Sequence, residues 1–407
     1  MLKTIPVHQV RMGMFIHSLK GSWIDHPFWK NAFMLEDAND LNKLQSSGVK
    51  QVVIDTSKGL DVADDSLSAV SEPPALPRKQ NGSHQQGKPK RISVSEERAQ
   101  AKRIIENSKE AVVSMFNDVR MGKAIDTEAA SPLVEEISAS LDRNEGALIS
   151  LVRLKASDDY TYMHSVAVCA LMISLARELG LSEIEVRQAG VGGLLHDIGK
   201  ALIPIEVLNK PGALTNEEFN LVKLHPERGH ALLKQGNVTD EVVLDICLHH
   251  HEKIDGTGYP FKLDSSQISL FAKMGAVCDV YDAVTSNRPY KAGWEPGISL
   301  QRMSQWKDHF DDKVFQAFVK CVGIYPVGSI VLLKSGRLAL VIDQSPKSLL
   351  TPIVKVFFST KSKLHIPLEV LDLSKSGIGD RIVGHENPEK WGLVDTNALW
   401  NQNDLWG

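Results

Sequence analysis

The sequence has little cysteine and no paired cysteine motif. Its four cysteines, Cys169, Cys247, Cys278 and Cys321, stand far apart in apolar surroundings, and no C-x-x-C occurs. That argues against a zinc knuckle, a dithiol redox site and a disulfide framework, and leaves reduced core thiols of a cytosolic protein. No surplus of positive charge exists either. The formal net charge is -4, so bulk electrostatic binding of a long nucleic acid is not expected, although a local basic pocket for a small anion is compatible with it. No uninterrupted apolar run is long enough to span a bilayer, and the start, Met1-Leu-Lys-Thr-Ile-Pro-Val-His8, lacks the apolar core of a signal peptide. The expected location is cytoplasmic, without membrane insertion. Internal repeats of useful length are absent. At 407 residues with 43% hydrophobic residues, the chain can form two or three domains and at least one sizeable core.

What is present changes character along the chain. Residues 1–56 mix strand and turn signals: Met14-Phe-Ile16, Ala32-Phe-Met-Leu35 and Gln51-Val-Val-Ile54 read as strands. Asp37 to Ser46 reads as a short helix with Leu41 and Leu44 on one face. Trp23, Phe28 and Trp29 are expected to pack as a small core around Pro27. The stretch 57–92 is polar and rich in proline and glycine, as in Glu72-Pro-Pro-Ala-Leu-Pro-Arg78. It has too little apolar surface to offset ordering entropy and reads as a flexible linker, with His84 solvated in it.

Helical periodicity runs over residues 93–325. It opens near Ser93, with Ser95 as capping residue and Ile104, Ile105, Val112, Val113 and Phe116 as the buried stripe. This long helix is expected to pack on the helical core or on a second protomer, so a homodimer is one expectation. Val166 to Ala176 is apolar on most faces and reads as a central helix; Gly190, Gly192 and Gly193 would let the next helix approach closely. Thr215-Asn-Glu-Glu218 matches a capping box. Over residues 326–407 the period becomes two: Gly328 to Leu333, Arg337 to Ile342 and Ile353 to Phe358 are strands, and Ser335-Gly336 is a hairpin turn candidate. An irregular tail follows, whose Trp391, Trp400 and Trp406 are expected to dock on the body. The expected fold is mainly α: a helical metal-binding bundle with a small α+β N-terminal domain and a short β appendage.

The chemistry is concentrated in the bundle. Gly193-Leu-Leu-His-Asp-Ile-Gly-Lys200 places His196 beside Asp197, with Lys200 one turn on. A lone His-Asp pair says little. Here His164 lies upstream, and His225, the run His249-His-His251 and Asp279 lie downstream. Imidazoles and carboxylates without thiolates describe a nitrogen and oxygen metal site, too many ligands for one tetrahedral ion and suited to a pair. Asp279 and Asp282 are one turn apart, so one can ligate while the other orients a ligand or the substrate. Arg288 and Lys291, three apart, could present one basic face to an anion.

These residues resemble the HD superfamily of metal-dependent phosphohydrolases. His250-His-Glu-Lys-Ile-Asp-Gly-Thr-Gly-Tyr-Pro260 is similar to the signature of its HD-GYP subfamily, the cyclic di-GMP phosphodiesterases, and the resemblance extends from about 130 to 325 through Asp279-Val-Tyr-Asp282 to Lys291. It implies His164, His196, Asp197, His225, His250, His251 and Asp279 as ligands of two divalent ions, iron or manganese, with Asp197 bridging. It leaves His249 as a structural histidine. It makes Asp197 and Lys200 the catalytic pair, and Lys200, Tyr259, Asp282, Arg288 and Lys291 the substrate contacts. A GGDEF-type cyclase domain is the partner implied for the Gly-Tyr-Pro loop, and the N-terminal unit looks like a small domain that often precedes this one. The expected reaction is hydrolysis of cyclic di-GMP to the linear dinucleotide, with GMP a further product. The alternatives are a weak cyclic-dinucleotide sensor and a hydrolase of mixed cyclic GMP-AMP; the complete ligand set favours the enzyme. Trinuclear relatives carry a glutamate four residues before the first histidine, where this chain has Tyr160. A phenol is a poor ligand for a hard divalent ion, so two ions are expected.

Overall fold

The computed structural model describes residues 2–20, 33–35, 37–45, 49–61, 92–123, 130–153, 160–286, 293–345, 348–393 and 399. Trp23, Phe28, Trp29, His84, Trp400, Trp406 and most of the linker stretch lie outside these residues. The chain divides into two compact units, Met1–Gly87 and Lys88–Gly407.

The first unit contains β1 (Leu2–Pro6), β2 (Phe15–Lys20), β3 (Phe33–Met34), α1 (Ala38–Gln45) and β4 (Gln51–Asp55). The strands form one antiparallel sheet in the order β1-β4-β2-β3. Its core gathers Met14, Ile16, Leu35, Val52 and Ile54 from the sheet region with Leu44 of α1, all fully buried. The sequence pattern missed β1. Only Ile5 of that edge strand is buried, so it shows no alternation, and its pairing with β4 holds it by backbone hydrogen bonds.

The second unit begins with α2 (Val94–Arg120), α3 (Ala130–Arg153) and α4 (Tyr160–Glu178). Ser93, not Ser95, caps α2: its hydroxyl accepts the Glu96 N–H, and Glu96 accepts the Ser93 N–H in return. A partner three residues away decides which serine caps. Ile104, Ile105, Val112 and Phe116 are buried as expected from the stripe, while Val113 is half-buried. Glu97, only 1% exposed, ties α2 to α3 by a bidentate pair with Arg143, both bonds at 2.7 Å, and by the Ser140 hydroxyl at 2.8 Å. Helix α3 breaks at Asn144, whose backbone is extended; its side chain accepts from Ala147 N and donates to Ile92 O. Helix α4 is buried from Met163 to Ala176, the central helix of the bundle.

Helix α5 (Glu183–Leu195) crosses α4 closely because its glycines leave room. A Cβ on Gly190 would stand 2.9 Å from Ile173 Cγ1, and one on Gly193 3.1 Å from the Cys169 backbone. A 3-10 segment, Ile198–Leu202, follows, then α6 (Ile205–Leu208), α7 (Asn216–Val222), α8 (His225–Gln235), α9 (Glu241–His249), α10 (Leu270–Thr285), α11 (Pro296–Met303) and α12 (Asp312–Val322). The capping box Thr215–Glu218 opens α7. No helix among the described residues is long and apolar enough to cross a membrane.

The C-terminal strands are β5 (Ile330–Leu333), β6 (Arg337–Asp343), β7 (Ile353–Ser359), β8 (Leu364–Asp372) and β9 (Ile382–His385), in one antiparallel sheet of order β8-β7-β6-β5-β9. The last two replace the irregular tail expected from the sequence. β8 is an edge strand, largely exposed, with Pro367 where its register against β7 shifts. Proline at such a shift costs no ladder hydrogen bond, yet it hides the strand from a pattern search. Trp391 packs against Phe358, ring centroids 6.0 Å apart.

Candidate metal centre

Five helices and the 3-10 segment deliver the candidate ligands. His164 comes from α4, His196 from the end of α5, and Asp197 and Lys200 from the 3-10 segment. His225 opens α8, His250 and His251 follow α9, and Asp279 and Asp282 lie on α10. Their ligand atoms converge as two adjacent groups, Asp197 with His225, His250 and His251, and His164 with His196 and Asp279; within each group these atoms lie within 4.8 Å of one another. The two oxygens of Asp197 divide between the groups. Oδ1 lies 3.1 Å from His225 Nε2 and 3.8 Å from His250 Nε2. Oδ2 lies 3.5 Å from His164 Nε2 and 3.4 Å from His196 Nε2.

Four of the imidazoles are held by the nitrogen turned away from the centre. His196 Nδ1 meets Gly193 O at 2.8 Å, His225 Nδ1 meets Val222 O at 2.7 Å, and His250 Nδ1 meets Ile246 O at 3.0 Å. An Nδ1–H donating to a carbonyl leaves the Nε2 lone pair facing the centre. His164 Nδ1 instead meets Asp282 Oδ2 at 2.6 Å. Asp282 is 1% exposed and stands behind His164. Asp282 Oδ2 is thus engaged by the His164 imidazole, the ligand-orienting role that its spacing from Asp279 allowed. Lys200 Nζ donates to Asp197 Oδ2 at 2.5 Å, fixing which oxygen turns to which group.

Electrostatics favour cations here. Burial would raise Asp197 and Asp279, but Lys200 and His196 beside Asp197, and the hydrogen bond from His164 beside Asp279, hold both well below the usual carboxylate range. Burial lowers His225, takes His250 well below its ordinary value and His251 to about 3, so these rings are neutral, the form that ligates. Burial also acts on His164, yet its bonds to Asp279 and Asp282 prevail and raise it. Among the described residues, the amine bonded to these carboxylates is Lys200, on Asp197. Two buried atoms, His196 Nε2 and Asp197 Oδ1, have no hydrogen-bond partner, and such orphans are costly unless something else satisfies them. The nitrogen and oxygen donor set and these two orphans fit hard or borderline divalent ions.

The remaining residues divide. Tyr259 stacks on His251, centroids 4.6 Å apart and rings 28° from parallel, and burial raises its hydroxyl above the ordinary phenol range. His249 Nδ1 meets Asp245 Oδ1 at 2.7 Å and joins neither group. Arg288, Lys291 and the side chain of Tyr160 lie outside the described residues. Sequence reasoning passed over Gly199 and Gly229, which pack the 3-10 segment onto α8. A Cβ on Gly199 would fall 2.0 Å from His225 O. A glycine two residues after a ligand pair was the available signal. Glu252, which directly follows His250 and His251, is a second residue passed over in this way.

Residues 2–130 match a family model described as a domain of unknown function (DUF3391), and residues 136–314 match the HD domain model. A cyclic di-GMP phosphodiesterase of Pseudomonas aeruginosa is 56% identical over 401 residues, 98% of this chain and 96% of that protein. A cyclic di-GMP phosphodiesterase response regulator of Xanthomonas campestris pv. campestris is 43% identical over 148 residues, 36% of this chain and 39% of that protein. Among solved structures, an HDG"Y"P protein from Bdellovibrio bacteriovorus aligns with a TM-score of 0.46 at 17% identity, covering 79% of this chain and 99% of that one.

Proposed function

The chain belongs to the HD-GYP family of HD-domain proteins, with a DUF3391 domain at its N-terminus, and on that premise we propose that it hydrolyses cyclic di-GMP at the His–Asp centre. The observation that carries the reading is the gathering of six other candidate ligands about Asp197, one carboxylate oxygen turned to each group. His164, His196 and Asp279 would hold one divalent ion, His225, His250 and His251 a second, and Asp197 would bridge. Iron or manganese suits this donor set. When bound, such a pair supplies Lewis acidity to phosphoryl oxygens and lowers the pKa of water.

The chain's own residues do the rest. Lys200 holds the Asp197 carboxylate in one orientation and presents positive charge at the edge of the centre, where negative charge builds on the phosphoryl oxygens as water attacks phosphorus and a proton of that water passes to the departing ribose 3′ oxygen. Asp282 keeps His164 in one ring orientation. Tyr259, stacked on the ring of His251, would contact the bound phosphodiester. Arg288 and Lys291 supply the second basic contact. The product is the linear dinucleotide, with slower conversion to GMP. Tyr160 in place of a carboxylate favours two ions over three.

The same reading places catalysis in 93–325, with 1–56 an accessory domain, 57–92 a linker and 326–407 an appendage. It places the protein in the cytoplasm, with a homodimer as one assembly and a GGDEF-type domain meeting the Gly-Tyr-Pro loop. The test is incubation of metal-loaded protein with cyclic di-GMP, mixed cyclic GMP-AMP and cyclic di-AMP, with products separated by chromatography. Preferential conversion of cyclic di-GMP is expected; no turnover despite full metal content would point to a sensor. Three tightly held ions per anaerobically purified chain would refute the two-ion reading.

A further inference from the structure

Glu252 is 2% exposed and directly follows two candidate ligands, yet it belongs to neither ligand group. Its oxygens are directed elsewhere. Oε1 accepts the Phe261 N–H at 2.7 Å, and Oε2 accepts the Leu263 N–H at 3.1 Å. A charged acceptor taking two main-chain amides is among the stronger hydrogen-bonding arrangements. The loop between folds back on its own start: a Cβ on Gly258 would stand 2.4 Å from Lys253 N and 2.5 Å from Glu252 Cα. At its tip Asp255 accepts from Thr257 N at 2.8 Å and Thr257 Oγ1 at 2.6 Å, with Gly256 at φ +72° making the turn. Tyr259 sits between the two fastenings. On one side its own N–H donates to His251 O at 3.2 Å; on the other lie the amides held by Glu252.

We infer that Glu252 is a positioning residue for the substrate site, pinning residues 253–263 so that the Tyr259 ring is held against His251. The inference rests on the phosphodiesterase reading only for its kinetic consequence. It assigns Glu252 no contact with substrate or ion. Pinning through a buried carboxylate gives the loop one backbone path, and it fixes the tyrosine before substrate arrives, so less ordering is left to binding.

The test is a double-mutant cycle in the full-length, metal-loaded protein. In Glu252→Gln one acceptor becomes an amide donor that faces an amide donor. The expected result is wild-type metal content, faster hydrogen exchange at the Phe261 and Leu263 amides, and a KM for cyclic di-GMP raised about tenfold with a smaller change in kcat. In a Tyr259→Ala background the same substitution should change KM less than about twofold, because its path is already removed. Unchanged exchange at the two amides, loss of metal, or KM effects that simply multiply would overturn the inference. Exchange reads the pinning without turnover. A wild type inactive on every cyclic dinucleotide would therefore sink the function proposed above, while the exchange data still decided the role of Glu252.

Discussion

Replacing Gly199 by alanine probes whether the ligand geometry depends on backbone contact between the 3-10 segment and α8. The added Cβ would lie 2.0 Å from His225 O, 2.6 Å from Gly229 N and 2.9 Å from His225 C. Ordinary contact for such atoms is about 3.5 Å, so roughly 1.5 Å of separation is required. The obstacles are main-chain atoms, one of them on Gly229, which has no side chain to rearrange. Overpacking of this kind costs about 1–3 kcal/mol, and the backbone obstruction puts Gly199 at the upper end. At about 3 kcal/mol, Tm falls by roughly 6–12 °C for a domain of some 200 residues. The displacement also separates Asp197 from His225, whose Nε2 now lies 3.1 Å from Oδ1. A shift of this size would open the group containing His225 and lower its metal occupancy. Gly379 is the control, since a Cβ there meets nothing within 4 Å; Gly379→Ala should stay within about 0.5 kcal/mol of wild type. Thermal melting and metal analysis of the two variants decide the matter. A Gly199→Ala protein with wild-type Tm and full metal content would refute the reasoning.

Asp282→Asn keeps the shape but removes the charge behind His164, so metal affinity should fall about 10–100-fold by chelator competition; unchanged affinity would show that the 2.6 Å contact does not tune the ligand. Glu97→Ala leaves Arg143 and Ser140 without their buried acceptor and should destabilise the α2–α3 pair by about 3 kcal/mol, the low end for a broken buried ion pair because Arg143 reaches solvent; denaturant unfolding checks it, and a loss under about 1 kcal/mol would count against the pair. Arg288→Ala and Lys291→Ala should each raise KM roughly ten- to a hundredfold with metal content intact, for about 1.5–3 kcal/mol of lost charge-assisted contact; wild-type kinetics in both would make them ordinary surface charge.

Features closed within about four residues of chain were readable from the sequence. Thr215 and Glu218 form the capping box that their spacing announced, α4 is buried as its apolar run required, and the ligand types pointed to nitrogen and oxygen metal chemistry before any geometry was known. Ser93 shows the edge of this range: the Glu96 partner that selects it over Ser95 was in the sequence but was decided by capping geometry. Beyond that range the chain fixes residue types without fixing partners. Asp282 and His164 are 118 residues apart, and only the packing of α10 beside α4 turned one of two acids a turn apart into an orienting group. Glu97 and Arg143, 46 apart, pair because α2 lies on α3. β1 and β8 are edge strands whose exposed side chains leave little alternation, so they become visible only when their neighbours supply the ladder. Local hydrogen bonds and periodic burial are written in the order of residues, whereas a contact between distant segments exists only after the core has closed and set their distance.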